Sequence, residues 1–336
     1  VGHPAAIRTS LAALAGVSLL LTACGSGGGA TSATSGADSS AGVVDVVAST
    51  NVYGDIAAII GGDKVNVTAI ITKTSQDPHS YEATAQDRLL VSKAELVIEN
   101  GGGYDAFLHK MADDSNIPHS NIVTAVEVGG LALAPEEAHA DSSPSPSVSE
   151  SADEHAHEPG AFNEHAWYSL DAMGKLADSL AAKLGELEPG SAALFTSNAA
   201  TFKAGVDALA GKLAALKANG TGAAVAVTEP VPLYLLEAAG LENKTPADYT
   251  AAIEEGSDVP PSALKAATDL AGSKGIRFLA YNAQTEGPQT QALKKAAEAA
   301  GVPVIDFSET LPEGKTYLQW MTDNVDNVSK VLEKNS

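Results

Sequence analysis

Val65-Asn66-Val67-Thr68-Ala69-Ile70-Ile71, followed a few residues later by Asp77-Pro78-His79-Ser80-Tyr81-Glu82-Ala83-Thr84, is an apolar run that leads into a short polar turn. Seven mostly apolar, β-branched-rich residues predict a buried strand, and the segment after Thr84 has helical spacing. His79 therefore falls at a strand-to-helix turn, where open α/β sheets bind ligands. Pro78 fixes its own φ and pushes Asp77 toward extended backbone, while Thr84 and Asp87 form a capping pair for the helix that follows. A single loop histidine is more often a surface or satisfied side chain than a metal ligand. The rest of the chain has to decide.

Strand and helix signals alternate outward from this turn. Residues 43–49 read as a strand and 51–60 as a helix stopped by Gly61-Gly62. After the His79 turn come a helix from 84 to about 93, a strand over 96–100 and the cluster Gly101-Gly102-Gly103-Tyr104-Asp105. That cluster lacks the spacing of nucleotide or dinucleotide loops and reads as a turn. A further strand is expected over 121–126. Residues 135–160 are rich in Ser, Pro, Asp and Glu, a composition that builds no core. They carry His139, His155 and His157, readable either as a low-affinity metal-collecting loop or as polar filler.

Order resumes at Ala161-Phe162-Asn163-Glu164-His165-Ala166-Trp167-Tyr168, ahead of a helix over 170–184. Residues 189–219 then repeat apolar positions at Phe195, Ala199, Phe202, Val206, Leu209, Leu213 and Leu216, which predicts a helix roughly 45 Å long. Gly205 and Gly211 each weaken it by about 1 kcal/mol relative to alanine. The seam suits a backbone helix inside the molecule better than a dimer contact, since it covers only some four turns and its flanks are α/β in texture. Strands follow at 223–228, leading into Glu229-Pro230, at 276–281, leading into Asn282, and at 302–307, leading into Ser308-Glu309-Thr310-Leu311. A helix over 233–239 follows the first of these. A terminal helix begins at Tyr317, with Trp320, Met321, Val325, Val328 and Leu332 spaced to dock on the second half. The expected fold is α/β: two lobes, each a mostly parallel sheet flanked by helices, joined by one long backbone helix.

The 336 residues are 44% apolar and carry a formal net charge of −22. That charge argues against nucleic-acid binding, which needs clustered Lys and Arg. Gly314-Lys315-Thr316 lacks the leading glycine of a phosphate loop. Arg8, the apolar stretch 11–21 and Thr22-Ala23-Cys24 read as an export signal too short for a membrane span. Cys24 is the one cysteine in the chain, so neither a disulfide framework nor a cysteine-built metal site is available.

Asp77–Thr84 resembles the first ligand motif of the zinc/manganese solute-binding protein family of ABC importers. Asn163-Glu164-His165-Ala166-Trp167 resembles its second, although many members have Pro at the Glu164 position and Asp at that of Ser169. Leu21-Thr22-Ala23-Cys24 resembles the bacterial lipoprotein box. The resemblance runs from about residue 43 to the C-terminus and implies four metal ligands: His79, His165, Glu229 and Glu309, with Asp306 as the alternative to Glu309. It implies a signal peptide over 1–23, a lipidated Cys24 with a flexible tether to 42, and an N-terminal metal-binding lobe over 43–188. A connecting helix over 189–219 and a C-terminal lobe over 220–336 complete the expected organisation.

Two neutral imidazoles and two carboxylates balance a divalent cation and leave no position reserved for a reacting water. The expected function is capture of zinc or manganese as cargo by a monomeric lipoprotein on the outer face of the cell membrane. The cargo would pass to an ABC permease driven by a separate ATPase, with limited lobe movement around the connecting helix. A secreted metallohydrolase, or a surface adhesin or metal-buffering lipoprotein without a transport role, are the rivals. No His-Glu-x-x-His is present to support the hydrolase, and no enzymatic activity is expected.

Overall fold

A computed structural model of the chain describes residues 42–76, 78–131, 162–220 and 222–334. The signal, Cys24, the tether and the loop histidines His139, His155 and His157 lie outside the described residues. Among the described residues no helix is long and apolar enough to cross a membrane.

The first sheet is parallel, with β1 (Val44–Thr50) between β2 (Val65–Ile71) and β3 (Leu96–Glu99), and β4 (Ile122–Thr124) outside β3. Helices α1 (Asn51–Gly61), α2 (Ala85–Val91) and α3 (Ala106–Asp114) make the crossovers, and α4 (Ala125–Val128) follows the last strand. The second sheet repeats this plan: β5 (Ala223–Val227) lies between β6 (Leu241–Asn243) and β7 (Leu279–Asn282), with β8 (Val304–Phe307) outside. Helices α7 (Leu233–Ala238), α8 (Ala247–Glu254), α9 (Pro261–Gly272) and α10 (Pro288–Ala300) accompany it. In each sheet the direction of winding reverses beside the central strand, so each lobe offers a ligand crevice at the carboxyl ends of its strands.

Between the lobes run α5 (Leu170–Leu187) and α6 (Ala192–Gly220). Phe195, Ala199, Phe202, Val206, Leu209 and Leu213 are buried in the core shared by the lobes and Leu216 packs at its margin, so the seam is internal. At Gly205 a Cβ would lie 2.6 Å from a Leu318 methyl of α11 (Tyr317–Lys334), so that side chain would have to shift. Gly211 meets nothing of the kind.

Four expectations need correction. The strand over 65–71, expected to be buried, is the edge strand β2, with Asn66 exposed and only Ile70 and Ile71 buried, because among the described residues no strand covers its outer side. The strand expected over 121–126 ends at Thr124, because Ala125 and Val126 bury their side chains in the first turn of α4. The strand expected from Ile276 begins only at Leu279. The terminal helix does not simply dock on the second lobe: it packs on α6 and β8 and also reaches α1, where the Tyr317 amide donates to Asp55 at 2.7 Å.

Candidate metal centre

The loop after β2 is tied down by one carboxylate. Asp87 accepts from the Thr84 amide at 2.8 Å, the Thr84 hydroxyl at 2.7 Å and the Tyr81 hydroxyl at 2.9 Å, while its own amide donates back to Thr84 Oγ1. This is the capping box expected from Thr84 and Asp87, extended by Tyr81, and it closes the loop that carries His79. Burial raises the Asp87 pKa, but the bonds from Thr84 and Tyr81 outweigh it and hold the carboxyl below its ordinary value. Such a group stabilises the fold above the unfolded pKa and loses that contribution as pH falls through the folded one. Asp87→Ala is therefore expected to destabilise by about 1–2 kcal/mol at pH 7, with a smaller difference from the parent at pH 3. Urea unfolding at the two pH values checks both halves; a difference that does not shrink in acid would contradict the ionised clamp.

The turn after β3 places Tyr104. Gly101, Gly102 and Gly103 have φ of 80°, 69° and 100°, a left-handed run closed to ordinary side chains, and a Cβ on Gly101 would lie 2.3 Å from Thr124. Asp105 accepts from the Asn100 amide at 2.6 Å and the Gly101 amide at 2.9 Å, fixing the turn. Asn100 in turn donates its side-chain amide to the Glu164 carbonyl at 2.9 Å, joining this turn to the segment that carries His165.

That segment is held from both lobes. Asn163 donates to the Pro230 carbonyl at 3.1 Å and the Tyr234 hydroxyl donates to the Asn163 carbonyl at 2.6 Å, while the Tyr168 hydroxyl donates to Ser308 at 2.9 Å. His165 is 1% exposed, edge-on to Trp167 and Tyr104. Its Nδ1 lies 2.7 Å from Asn163 Oδ1, an acceptor, so the proton belongs on Nδ1 and the Nε2 lone pair is left available. Burial, then the neighbouring His79, pushes its pKa well below the usual histidine value.

Of the four residues expected as ligands, His79, His165 and Glu309 offer donor atoms within 4.8 Å of one another. His79 Nε2 is 3.9 Å from Glu309 Oε2, which also accepts from the Tyr104 hydroxyl at 3.3 Å. Glu309 is 2% exposed, whereas the alternative, Asp306, is exposed in β8. Glu229 stands beside this group without joining it. One amide, Asn282 Nδ2, bridges the two carboxylates, donating to Glu229 Oε2 at 2.6 Å and to Glu309 Oε1 at 2.7 Å, and the Thr285 hydroxyl adds a 2.6 Å bond to Glu229. A cleft of about 430 Å³ reaches the site from solvent, lined by His79, Glu254, Gln284 and Thr285 among others.

Two further carboxylates escaped the sequence reading. Glu164 Oε1 lies 3.4 Å from His79 Nδ1, and Glu164, His165 and Glu254 form a second group of donors within the same 4.8 Å limit. Burial first, then Glu254, Asp105 and Glu309, pushes the Glu164 pKa up to about 9; burial, then Glu229, pushes that of Glu254 up to about 7. The signal at Glu164 was its departure from the usual proline. Glu254 ends a helix that the sequence reading did not place.

A crowd of carboxylates with two imidazoles, sharing a mostly buried crevice, is a donor set for a divalent cation, since buried carboxylates without a counter-charge are costly in low dielectric. The comparisons with known proteins agree with that chemistry. Residues 46–331 match the family model for the periplasmic zinc-uptake complex component A. The manganese ABC transporter substrate-binding lipoprotein ScaA of Streptococcus gordonii is 25% identical over 313 residues, 89% of this chain and 92% of that relative. Among solved structures, the solute-binding protein FpvC of Pseudomonas aeruginosa in complex with Mn²⁺ is similar with a TM-score of 0.65 at 20% identity, over 87% of this chain and 99% of that one. The periplasmic zinc-binding protein TroA of Treponema pallidum gives 0.66 at 19% identity, over 87% and 99%. At those identities the structures speak for the fold alone, two lobes about a long helix.

Proposed function

The chain belongs to the family of the periplasmic zinc-uptake complex component A, and from that premise we propose that it captures one zinc or manganese ion between its lobes as cargo for an ABC importer. The observation that carries the proposal is the meeting of His79, His165 and Glu309 donor atoms within 4.8 Å, drawn from three separate parts of the chain. In metal complexes with bonds near 2.0–2.1 Å, neighbouring donors sit closer than this, so a cation would draw the side chains together by rotation rather than by refolding. His79, the most exposed of the three, supplies most of that freedom.

Each residue has a task. His165, neutral and fixed by Asn163, offers Nε2. His79 closes from the cleft side, and Glu309 and Glu229 balance the cation charge. Glu164 and Glu254 are the reserve: they gain negative charge as a cation replaces the protons that burial keeps on them. Zinc suits the imidazoles, while carboxylates able to bind through both oxygens suit the higher coordination of manganese. The Irving-Williams order makes zinc the tighter binder at such a site, so affinity alone does not name the cargo.

Delivery would be to a membrane permease with a separate ATPase, from a position outside the cell membrane. Lipidation at Cys24 and a monomeric state belong to the same proposal. Isothermal titration of the purified chain with Zn²⁺ and Mn²⁺ tests it. One tight site, weakened at least tenfold by His79→Ala, is the expected result; equal-affinity sites indifferent to that change would reject it. Uptake in metal-starved cells with and without the protein would then choose between the two ions.

A further inference from the structure

Away from the cleft, a second constellation of ligating side chains lies on the outer face of the N-terminal lobe. His109 and Asp113 stand one turn apart on α3, and His119 follows in the short 3-10 turn His119–Asn121. One donor atom from each lies within 4.8 Å of the other two. His109 Nε2 is 3.8 Å from Asp113 Oδ2, and His119 Nε2 is 3.9 Å from Asp113 Oδ1, so both imidazoles turn a nitrogen toward one carboxylate.

An exposed trio of this kind would carry little weight alone. What distinguishes it is the group behind it. Glu99, at the end of β3 and 3% exposed, faces the other ring nitrogen of His109, with its carboxylate oxygens 3.0 and 3.2 Å from Nδ1. Thr124 Oγ1 donates to the same carboxylate at 2.9 Å. A buried carboxylate held by a second donor and set against Nδ1 fixes the proton there, frees Nε2 and raises its basicity. This is the arrangement by which proteins orient a metal-ligating histidine.

We infer that His109, Asp113 and His119 form a second, surface site for a divalent transition cation of the zinc class, with Glu99 positioning His109 from behind. Three protein donors leave a tetrahedral ion one position for water. The site is accordingly weaker and faster-exchanging than a closed centre. Two imidazoles and one carboxylate favour zinc over manganese, whose preference is for oxygen.

The inference is independent of the cleft, and its test keeps the two apart. The purified chain, His119→Ala and His79→Ala are each titrated with Zn²⁺ by equilibrium dialysis, with the histidine ring signals followed by NMR. His119→Ala is expected to remove one zinc equivalent, or weaken it at least tenfold, and to leave the tightest site unchanged. The ring signals of His109 and His119 should shift together in the parent and in His79→Ala. A second variant, Glu99→Gln, keeps the shape of the group behind His109 but removes its charge, and should weaken the same equivalent without abolishing it. A zinc count and set of affinities both unchanged in His119→Ala, or unmoved His109 and His119 signals in the parent, overturns the inference. Should His79→Ala leave every zinc equivalent intact while His119→Ala loses one, the surface site stands and the cleft proposal fails.

Discussion

His165→Ala is expected to weaken divalent-metal binding at least a hundredfold, a loss of about 2.7 kcal/mol of binding free energy. His165 is the one proposed ligand both buried and held in a defined tautomer, so its donor atom waits in place before the ion arrives. Its depressed pKa keeps that lone pair free of a competing proton at neutral pH. Truncation also leaves a void beside Trp167 and Tyr104, so loss of binding must be separated from loss of fold. Asn163→Ala makes the separation. It leaves the ring, removes the acceptor that holds the Nδ1 proton together with that side chain's bonds to the His165 amide and the Pro230 carbonyl, and should weaken binding by about 10–100-fold, between the parent and His165→Ala. Competition against a chelating dye reads all three proteins on one scale. Equal affinity for parent and His165→Ala would remove the imidazole from the site.

The lobes were legible in the sequence because parallel strands buried on both faces advertise themselves as short, continuous apolar runs, as Leu96-Val97-Ile98 does. The long helix was legible for a related reason: its buried stripe from Phe195 to Leu213 keeps one spacing throughout. Less could be read between 240 and 275. There β6 has only three residues, and the buried faces of α8 and α9 are built largely from alanine, as at Ala252, Ala263, Ala267 and Ala271. Alanine marks a face weakly.

The candidate site shows the same division. His79 and His165 stood out through their surrounding motifs, and Glu229 and Glu309 through the strands they follow. Which carboxylates share space is a tertiary fact with no local signature. Glu254 joins the site from α8, and Glu229 stands apart from the closest trio because Asn282 lies between it and Glu309. The family pattern treats the position of Glu164 as commonly proline. Here it brings a sixth potential donor to within 3.4 Å of His79, which makes this site richer in carboxylate than the motif alone suggested.

Asn282→Asp should produce the largest change in stability, and one that depends on metal. The substitution preserves shape but replaces the amide nitrogen, which donates to Glu229 at 2.6 Å and Glu309 at 2.7 Å, with an oxygen that repels both. Asn282 is 2% exposed, so water does little to screen the three carboxylates. Leaving a buried charge uncompensated destabilises by about 3–5 kcal/mol. The introduced carboxyl would have a raised pKa in the folded state. Its penalty is therefore small in acid, grows as pH rises above the ordinary carboxylate value, and is large at neutral pH. A divalent cation reverses the sign of the local field. Saturating Zn²⁺ should then raise the melting temperature of Asn282→Asp by more than it raises that of the parent, since an ion that binds only the folded state stabilises it through linkage. Thermal unfolding of both proteins at pH 5 and pH 8, with metal and with chelator, yields the full comparison. If the cation sits among these carboxylates, the deficit of the variant is greatest at pH 8 in chelator and shrinks on adding metal. A deficit identical with and without metal would mean that the charge of the ion is felt elsewhere, and the cleft would no longer be its place.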